Sequence, residues 1–325
     1  MNFDVSKRTI ILVRHGSHAY GLNTPTSDLD VKGVCIEPKE NFYGFLHTFE
    51  QHESMGRQTP DGPEDRVVYS LKKFMRLAAD CNPNIIEVLH VDDSDILHID
   101  EFGEQLRSIR NDFLSKKARH TFSGYAHAQL KRINTHRSWL LNPPKCPPER
   151  KDFGLSDIRE VSKSDLGAYQ AFEQMSKDGA ETQNLISTLP SNIVELLQRE
   201  KAFANAKTHW DQYQNWLKTR NPSRAALEAK HGLDTKHAAH LIRLMRMCKE
   251  ILEGKGAFVK REDREELLSI RNGAWSYEKI VQTAEALDLE CESLYKTSSL
   301  QHKPNLNFLH NECVKLTEKF IERNG

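Results

Sequence analysis

The sequence predicts an α+β protein, with a small mixed β-sheet and flanking helices over residues 1–115 followed by an all-helical part over residues 116–325. Three observations carry that expectation. Short β-branched or alternating runs occur only early in the chain, at Arg8–Arg14 (RTIILVR), Asp28–Ile36 (DLDVKGVCI) and Arg66–Tyr69. From about residue 102 strand-like alternation gives way to long segments with helical spacing. The chain of 325 residues is long enough for two domains, each with its own apolar core.

Between the second and third strands, residues 50–64 (EQHESMGRQTPDGPE) are polar and carry Gly56, Pro60, Gly62 and Pro63, so the spacing predicts a mobile loop. SLKKFMRLAA then has helical spacing, and Asn82-Pro83-Asn84 punctuates the chain before the apolar segment IIEVLHV, which starts as a helix. Glu87 would sit there among Ile86, Val88 and Leu89 and could anchor Asn82 or a basic neighbour, with a catalytic role as the lesser reading. In the helical half, LLNPPKCPPERKD holds four prolines and is a loop. Residues 235–252 place Leu241, Leu244, Met245, Cys248, Ile251 and Leu252 on one buried stripe. Lys236, His240 and Arg243 recur at i, i+4 and i+7 and predict a separate basic stripe.

Composition excludes several classes. Charged residues make up 28% and hydrophobic residues 38%, values of an ordinary folded chain rather than a disordered one. No apolar run approaches the ~20 residues that span a bilayer, and the start MNFDVSKRTIILVRHG lacks a signal peptide's apolar stretch. The six cysteines are scattered without a C-x-x-C pair, which disfavours a zinc cage or a disulfide framework and fits a reducing cytoplasm.

The formal net charge is zero, yet residues 1–115 carry net −7 and residues 116–325 net +7. Between Asp112 and Glu149 no acidic residue occurs, while Lys116, Lys117, Arg119, Lys131, Arg132, Arg137 and Lys145 all fall there. That density predicts a surface facing phosphates or nucleic acid, with Lys131 and Arg132 as candidate contacts; a solvated basic face is the plainer alternative.

The chemistry concentrates in residues 14–34, RHGSHAYGLNTPTSDLDVKGV. A strand ends near Arg14, Gly16 permits a tight turn, and Ser17 opens a short helix whose backbone N–H groups and hydroxyl can hold a phosphate. The chain returns as a strand on which Asp28 and Asp30 share a face while Leu29 and Val31 point the other way. Two carboxylates side by side repel unless a cation lies between them, and hard oxygen ligands suit Mg²⁺ or Mn²⁺. Lys32, on the same face by the period of two, could neutralise a carboxylate or a phosphate. His15 and His18 flank the turn and read as supporting residues.

This arrangement resembles the nucleotidyltransferases of the DNA polymerase β superfamily, marked by a strand, Gly-Ser, a short helix and Asp-x-Asp on the next strand. It is similar in particular to a family of predicted nucleotidyltransferases of bacteria and phages, some associated with RNA repair, through Tyr69–Leu89, FSGYAHAQLKRI (122–133), DTKHAAHLIRLMR (234–246) and LLSIRNG (267–273). The resemblance implies a catalytic domain at 1–115 and a helical domain at 116–325 that closes its cleft. It implies two Mg²⁺ or Mn²⁺ ions on Asp28, Asp30 and a third carboxylate on a later strand, Asp65 or else Glu64. It also implies an NTP such as ATP held by Gly16, Ser17 and Lys32, with Lys236, His240 and Arg243 answering from the helical side. The implied reaction moves a nucleoside monophosphate to a hydroxyl, by preference an RNA 3′ end, in the cytosol of a bacterium or of a phage-infected cell. A protein or small-molecule hydroxyl, a non-catalytic nucleotide- or RNA-binding module, and more remotely a D-x-D glycosyltransferase are the alternatives.

Overall fold

Five strands form one mixed sheet in the order β3-β4-β2-β1-β5 in a computed structural model that describes residues 3–324 other than 26, 60, 61 and 179–189. β1 (Thr9–His15) runs antiparallel to β2 (Leu29–Cys35) and to β5 (Ile96–Ile99). β2 runs parallel to β4 (Gly62–Ser70), and β3 (Gln51–Thr59) closes the other edge antiparallel to β4.

The mixed sheet and the helical remainder match the α+β expectation, with two local corrections. The stretch expected to be a loop at 50–64 is instead β3 and the start of β4. It reads as polar because β3 is an edge strand with much of its length exposed. Gly56, at φ +65°, marks a register shift between Ser54 and Arg57. β5 escaped notice because four residues, ILHI, give too little alternation to score.

The helices up to residue 135 are α1 (Gly16–Ala19), α2 (Lys39–Tyr43), α3 (Leu71–Ala79), α4 (Pro83–Leu89), α5 (Glu101–Ser108) and the first part of α6 (Ala118–Leu141). Local chemistry sets their starts. The Ser70 hydroxyl caps α3 by accepting from the Lys73 N–H, and the Asn82 side chain caps α4 with Pro83 in its first turn. Further on come α7 (Lys163–Asp178), α8 (Ser191–Thr219), α9 (Pro222–His231), α10 (Thr235–Leu252), α11 (Arg264–Arg271), α12 (Tyr277–Thr297) and α13 (Leu306–Asn324). Among the described residues no helix is long and apolar enough to cross a membrane.

The chain divides into two compact units, residues 1–135 with 233–325 and residues 136–232. The secondary structure does change near residue 115, but the compact units do not part there. The reason is the core: Ile10, Val13 and Ile36 of the sheet, Phe74 and Ile86 of α3 and α4, Phe122 of α6, Leu244 of α10 and Phe320 of α13 belong to one buried apolar cluster. The apolar stripes of α10 to α13 therefore complete the hydrophobic core of the first unit. The second unit has its own core of Leu166, Tyr169 and Leu197, a Trp139, Tyr213 and Trp216 aromatic group, and a half-buried Arg150–Glu200 ion pair at 2.6 Å.

Candidate active site

β1 delivers the chain to the turn that opens α1. His15 closes the strand as the partner of Asp30 on β2, and Gly16 follows at φ +63°. A Cβ placed on Gly16 would lie 2.2 Å from Asp30 Oδ2, so only glycine lets the backbone pass this close to the carboxylate. The Tyr20 N–H donates to the Gly16 carbonyl at 3.1 Å and the Leu22 N–H to the Ser17 carbonyl at 2.8 Å, which closes the turn. Gly16→Ala is expected to cost about 1–2 kcal/mol for the left-handed backbone alone and to displace Asp30. A folded but less stable protein by circular dichroism is the anticipated result; an unchanged stability would show that the close approach carries no weight.

Strand register settles which acidic side chains share a face. Asp30 of β2 is the partner of Asp65 of β4 in a parallel pair, so the two project to the same side. Leu29 is the partner of Glu64, on the opposite side, where Glu64 is buried and held by Arg66 through Nε at 2.7 Å and Nη2 at 3.1 Å. Asp28, two residues before Asp30, is exposed at the mouth of β2. The backbone N–H of Gly56 donates to Asp65 Oδ1 at 2.7 Å.

Burial raises the Asp30 carboxyl above its usual range; His15, Lys32 and Lys236 partly oppose this, and the neighbouring charge of Asp65 adds to it. The charge of Asp65 that Asp30 feels across the strand pair would be relieved by a cation, and carboxylate oxygens are the donors that a divalent ion such as Mg²⁺ prefers.

Beneath the carboxylates lies a buried cluster around Glu87 of α4, which is 1% exposed. Arg243 of α10, also 1% exposed, donates from Nη1 to Glu87 Oε1 at 2.6 Å. The Tyr20 hydroxyl donates to Oε2 at 2.6 Å, and His15 Nε2 lies 3.1 Å from the same oxygen. The Arg243 guanidinium also lies over the Tyr20 ring, 3.6 Å from its centre. Burial would raise the Glu87 carboxyl, but Arg243 and the His15 and Tyr20 hydrogen bonds outweigh it and hold it well below the ordinary glutamate range. Burial, and then the charge of Lys32, lower the His15 imidazole against the hydrogen bond and charge of Glu87.

The three-residue basic stripe on α10 is corrected by this cluster. Arg243 is not on an open face, because its guanidinium is spent on Glu87, on Met247 Sδ at 3.0 Å and on His240 Nδ1 at 3.0 Å. His240 is partly buried, and burial with the Arg243 charge pushes it down to about 3, so it is a neutral side chain. Lys236 alone of the three is exposed, and its charge reaches Asp30. Lys32 is partly buried with its Nζ 3.5 Å from His15 Nε2; burial lowers it, against the pull of Glu87 and Asp30.

The acid-free run is only in part an open basic face. Lys116 is buried and reaches over the Tyr295 ring, Lys117 pairs with Asp80 at 2.6 Å, and Arg119 pairs with Asp288 at 3.0 Å. Lys131 and Arg132 of α6 are exposed.

Tyr20 is the member of the Glu87 cluster that sequence reasoning missed. Its only signal was its place at the end of the Gly16 turn. The Arg243 partnership could have been found, because Leu241-Ile242-Arg243-Leu244-Met245 surrounds one cation with apolar residues, just as Ile85-Ile86-Glu87-Val88-Leu89 surrounds one anion.

A strand, a Gly-Ser turn, a short helix, and an Asp-x-Asp strand lying parallel to a further acidic strand form the arrangement in which the chain resembles nucleotidyltransferases of the polymerase β type. Residues 3–140 match the family model described as the RNA repair pathway DNA polymerase beta family, RlaP, so the resemblance read from the motifs holds for this part of the chain. The chain is also 32% identical over 88 residues to the uncharacterized 38.9 kDa protein in the nrdC-mobD intergenic region of Enterobacteria phage T4, covering 26% of each chain. It is 28% identical over 129 residues to the uncharacterized protein YcgL of Bacillus subtilis (strain 168), covering 39% of this chain and 45% of YcgL. The matched stretches thus span less than half the length of either relative. No solved structure matches the chain significantly.

Proposed function

We propose that the chain transfers a nucleoside monophosphate from an NTP to a hydroxyl acceptor with release of pyrophosphate, the acceptor being an RNA 3′ end. The observation that carries this reading is the level placement of Asp30 and Asp65 on one sheet face with Asp28 two residues before. Asp28, Asp30 and Asp65 would hold two Mg²⁺ or Mn²⁺ ions. Bound there, the ions supply neutralisation of the triphosphate and a lowered pKa for the attacking hydroxyl.

The chain's own residues do the rest. Gly16 brings its backbone against the Asp30 carboxylate, and Ser17 beside it offers a hydroxyl and an N–H to the β- and γ-phosphates. Lys236 adds positive charge from α10, whose helix belongs to the same compact unit as the sheet. Asp65 has one oxygen held by Gly56, which leaves the other to receive the proton of the acceptor hydroxyl. Lys131 and Arg132 are the candidate contacts for the RNA backbone. The description of the family model that residues 3–140 match supports an RNA-repair setting.

The test is incubation of the purified full chain with each NTP labelled at its α-phosphate, Mg²⁺ or Mn²⁺, and total RNA. Label on RNA that vanishes in Asp28→Ala/Asp30→Ala is the expected result, with the favoured NTP read from the same assay. Label on protein or a small molecule would transfer the acceptor to that class. Absence of metal-dependent NTP binding would overturn the catalytic reading and leave a binding module.

A further inference from the structure

The sheet face turned away from Asp30 and Asp65 holds a hollow of about 430 Å³, within the range of small-ligand sites. Its floor is apolar, formed by Leu12 of β1 and Val68 of β4 with Val5 beside them. Phe3 adds an aromatic ring to one wall. His52, Ser54, Arg57 and Arg66 line the wall above β3 and β4.

A bulge aims Arg57 into this space. In an unbroken strand Ser54 and Arg57, three residues apart, would point to opposite faces. Here the register shifts between them, so that Ser54 is the partner of Arg66 and Arg57 the partner of Glu64, two residues apart on β4 and on one face. The extra residue is accommodated at Gly56, whose N–H is fastened to Asp65. Bulges that re-aim a side chain are characteristic of binding sites.

The charges around the hollow leave Arg57 as the cation without a partner. Glu64, on the same face, spends both carboxylate oxygens on Arg66. Asp4 at the rim accepts from the Ser6 N–H at 3.0 Å and hydroxyl at 2.6 Å through one oxygen. His98 lies with Nε2 3.2 Å from the Thr9 carbonyl. Among the described residues the side chains of Arg57 and His52 make no hydrogen bond or ion pair. A guanidinium without a counter-charge, hydroxyl and imidazole groups beside it, and an apolar floor with an aromatic wall complement one phosphate joined to one planar ring.

We propose that this hollow binds a single nucleotide, its phosphate on Arg57 and its base over Leu12 and Val68 against Phe3. The ligand is either a free mononucleotide or one nucleotide of a single strand; the shared chemistry is the phosphate and the base. This site is separate from the carboxylate face and stands whether or not that face transfers nucleotides.

Isothermal titration calorimetry of the full chain in EDTA tests it, because chelation silences any metal-dependent binding at the carboxylates. The probes are AMP, adenosine, inorganic phosphate and a 5′-phosphorylated tetra-adenylate. AMP is expected to bind one per chain, adenosine and phosphate at least tenfold more weakly, and Asp28→Ala/Asp30→Ala is expected to leave AMP binding unchanged. Arg57→Glu, an exposed side chain whose replacement leaves the fold intact by circular dichroism, is expected to weaken AMP at least tenfold, and His52→Ala several-fold. Tetra-adenylate binding tenfold tighter than AMP assigns the ligand to a strand, and equal affinity assigns it to a free nucleotide; both support the site. No saturable binding at millimolar AMP or tetra-adenylate, or binding that Arg57→Glu and His52→Ala leave unchanged, would overturn it.

Discussion

Glu87→Ala is expected to destabilise the first compact unit by about 3–5 kcal/mol, the cost of stranding a buried charge. Arg243 would keep its position at 1% exposure with no carboxylate to answer it, and the Tyr20 hydroxyl and His15 Nε2 would lose their common partner. Hydrogen exchange reads the effect locally, as faster exchange in Pro83–Leu89 and Thr235–Leu252 than in helices of the second unit. The double substitution Glu87→Gln/Arg243→Met should recover most of the loss, because neither desolvated charge remains. The pH dependence has a fixed sign. A carboxyl held below its unfolded value contributes stability above that value and loses it as pH falls toward the folded one. The deficit of Glu87→Gln should therefore be flat from neutral pH to about pH 5 and shrink only in stronger acid, below the ordinary glutamate range. A Glu87→Ala penalty no larger than the roughly 0.5 kcal/mol of a surface substitution would mean that the cluster carries no net stability.

The same cluster marks how far the sequence could be read. The strand, turn, helix and Asp-x-Asp of residues 9–30 were legible because each is local: β-branched runs, a glycine where the chain must turn, and a period of two on β2. The core stripe of α10 was legible for the same reason, since Leu241, Leu244, Met245, Cys248, Ile251 and Leu252 are all buried. Arg243 was misplaced because a helical period assigns it a face without saying what packs against that face. Its partner lies 156 positions away in sequence, on α4. The polar stretch at 50–64 misled for a related reason. An edge strand needs little apolar content, so β3 resembles a loop until it is paired with β4. Composition likewise overstated the basic run after Asp112, because Lys117 and Arg119 meet Asp80 and Asp288 from distant segments.

Asp65 and Glu64 are neighbours in sequence, and the register of β4 against β2 places Asp65 on the face of Asp30 and Glu64 on the other. Asp65→Asn is expected to lower kcat by about 10²- to 10³-fold, the scale of removing one preorganised charged group from a reacting centre. The fold should be retained, because this side chain is only partly buried and its one hydrogen bond, from the Gly56 N–H, can be accepted by an asparagine amide oxygen. Glu64→Gln should do the reverse. It faces away from Asp30, so transfer should stay within about threefold, while the weakened pairing to Arg66 costs about 1 kcal/mol of stability in a charge-assisted hydrogen bond. Measuring kcat, KM for the NTP and urea unfolding for both variants distinguishes the two carboxylates. A large kcat loss in Glu64→Gln with Asp65→Asn unaffected would require β4 to pair with β2 one residue out of its present register, since a one-residue slip exchanges the faces of every side chain on the strand.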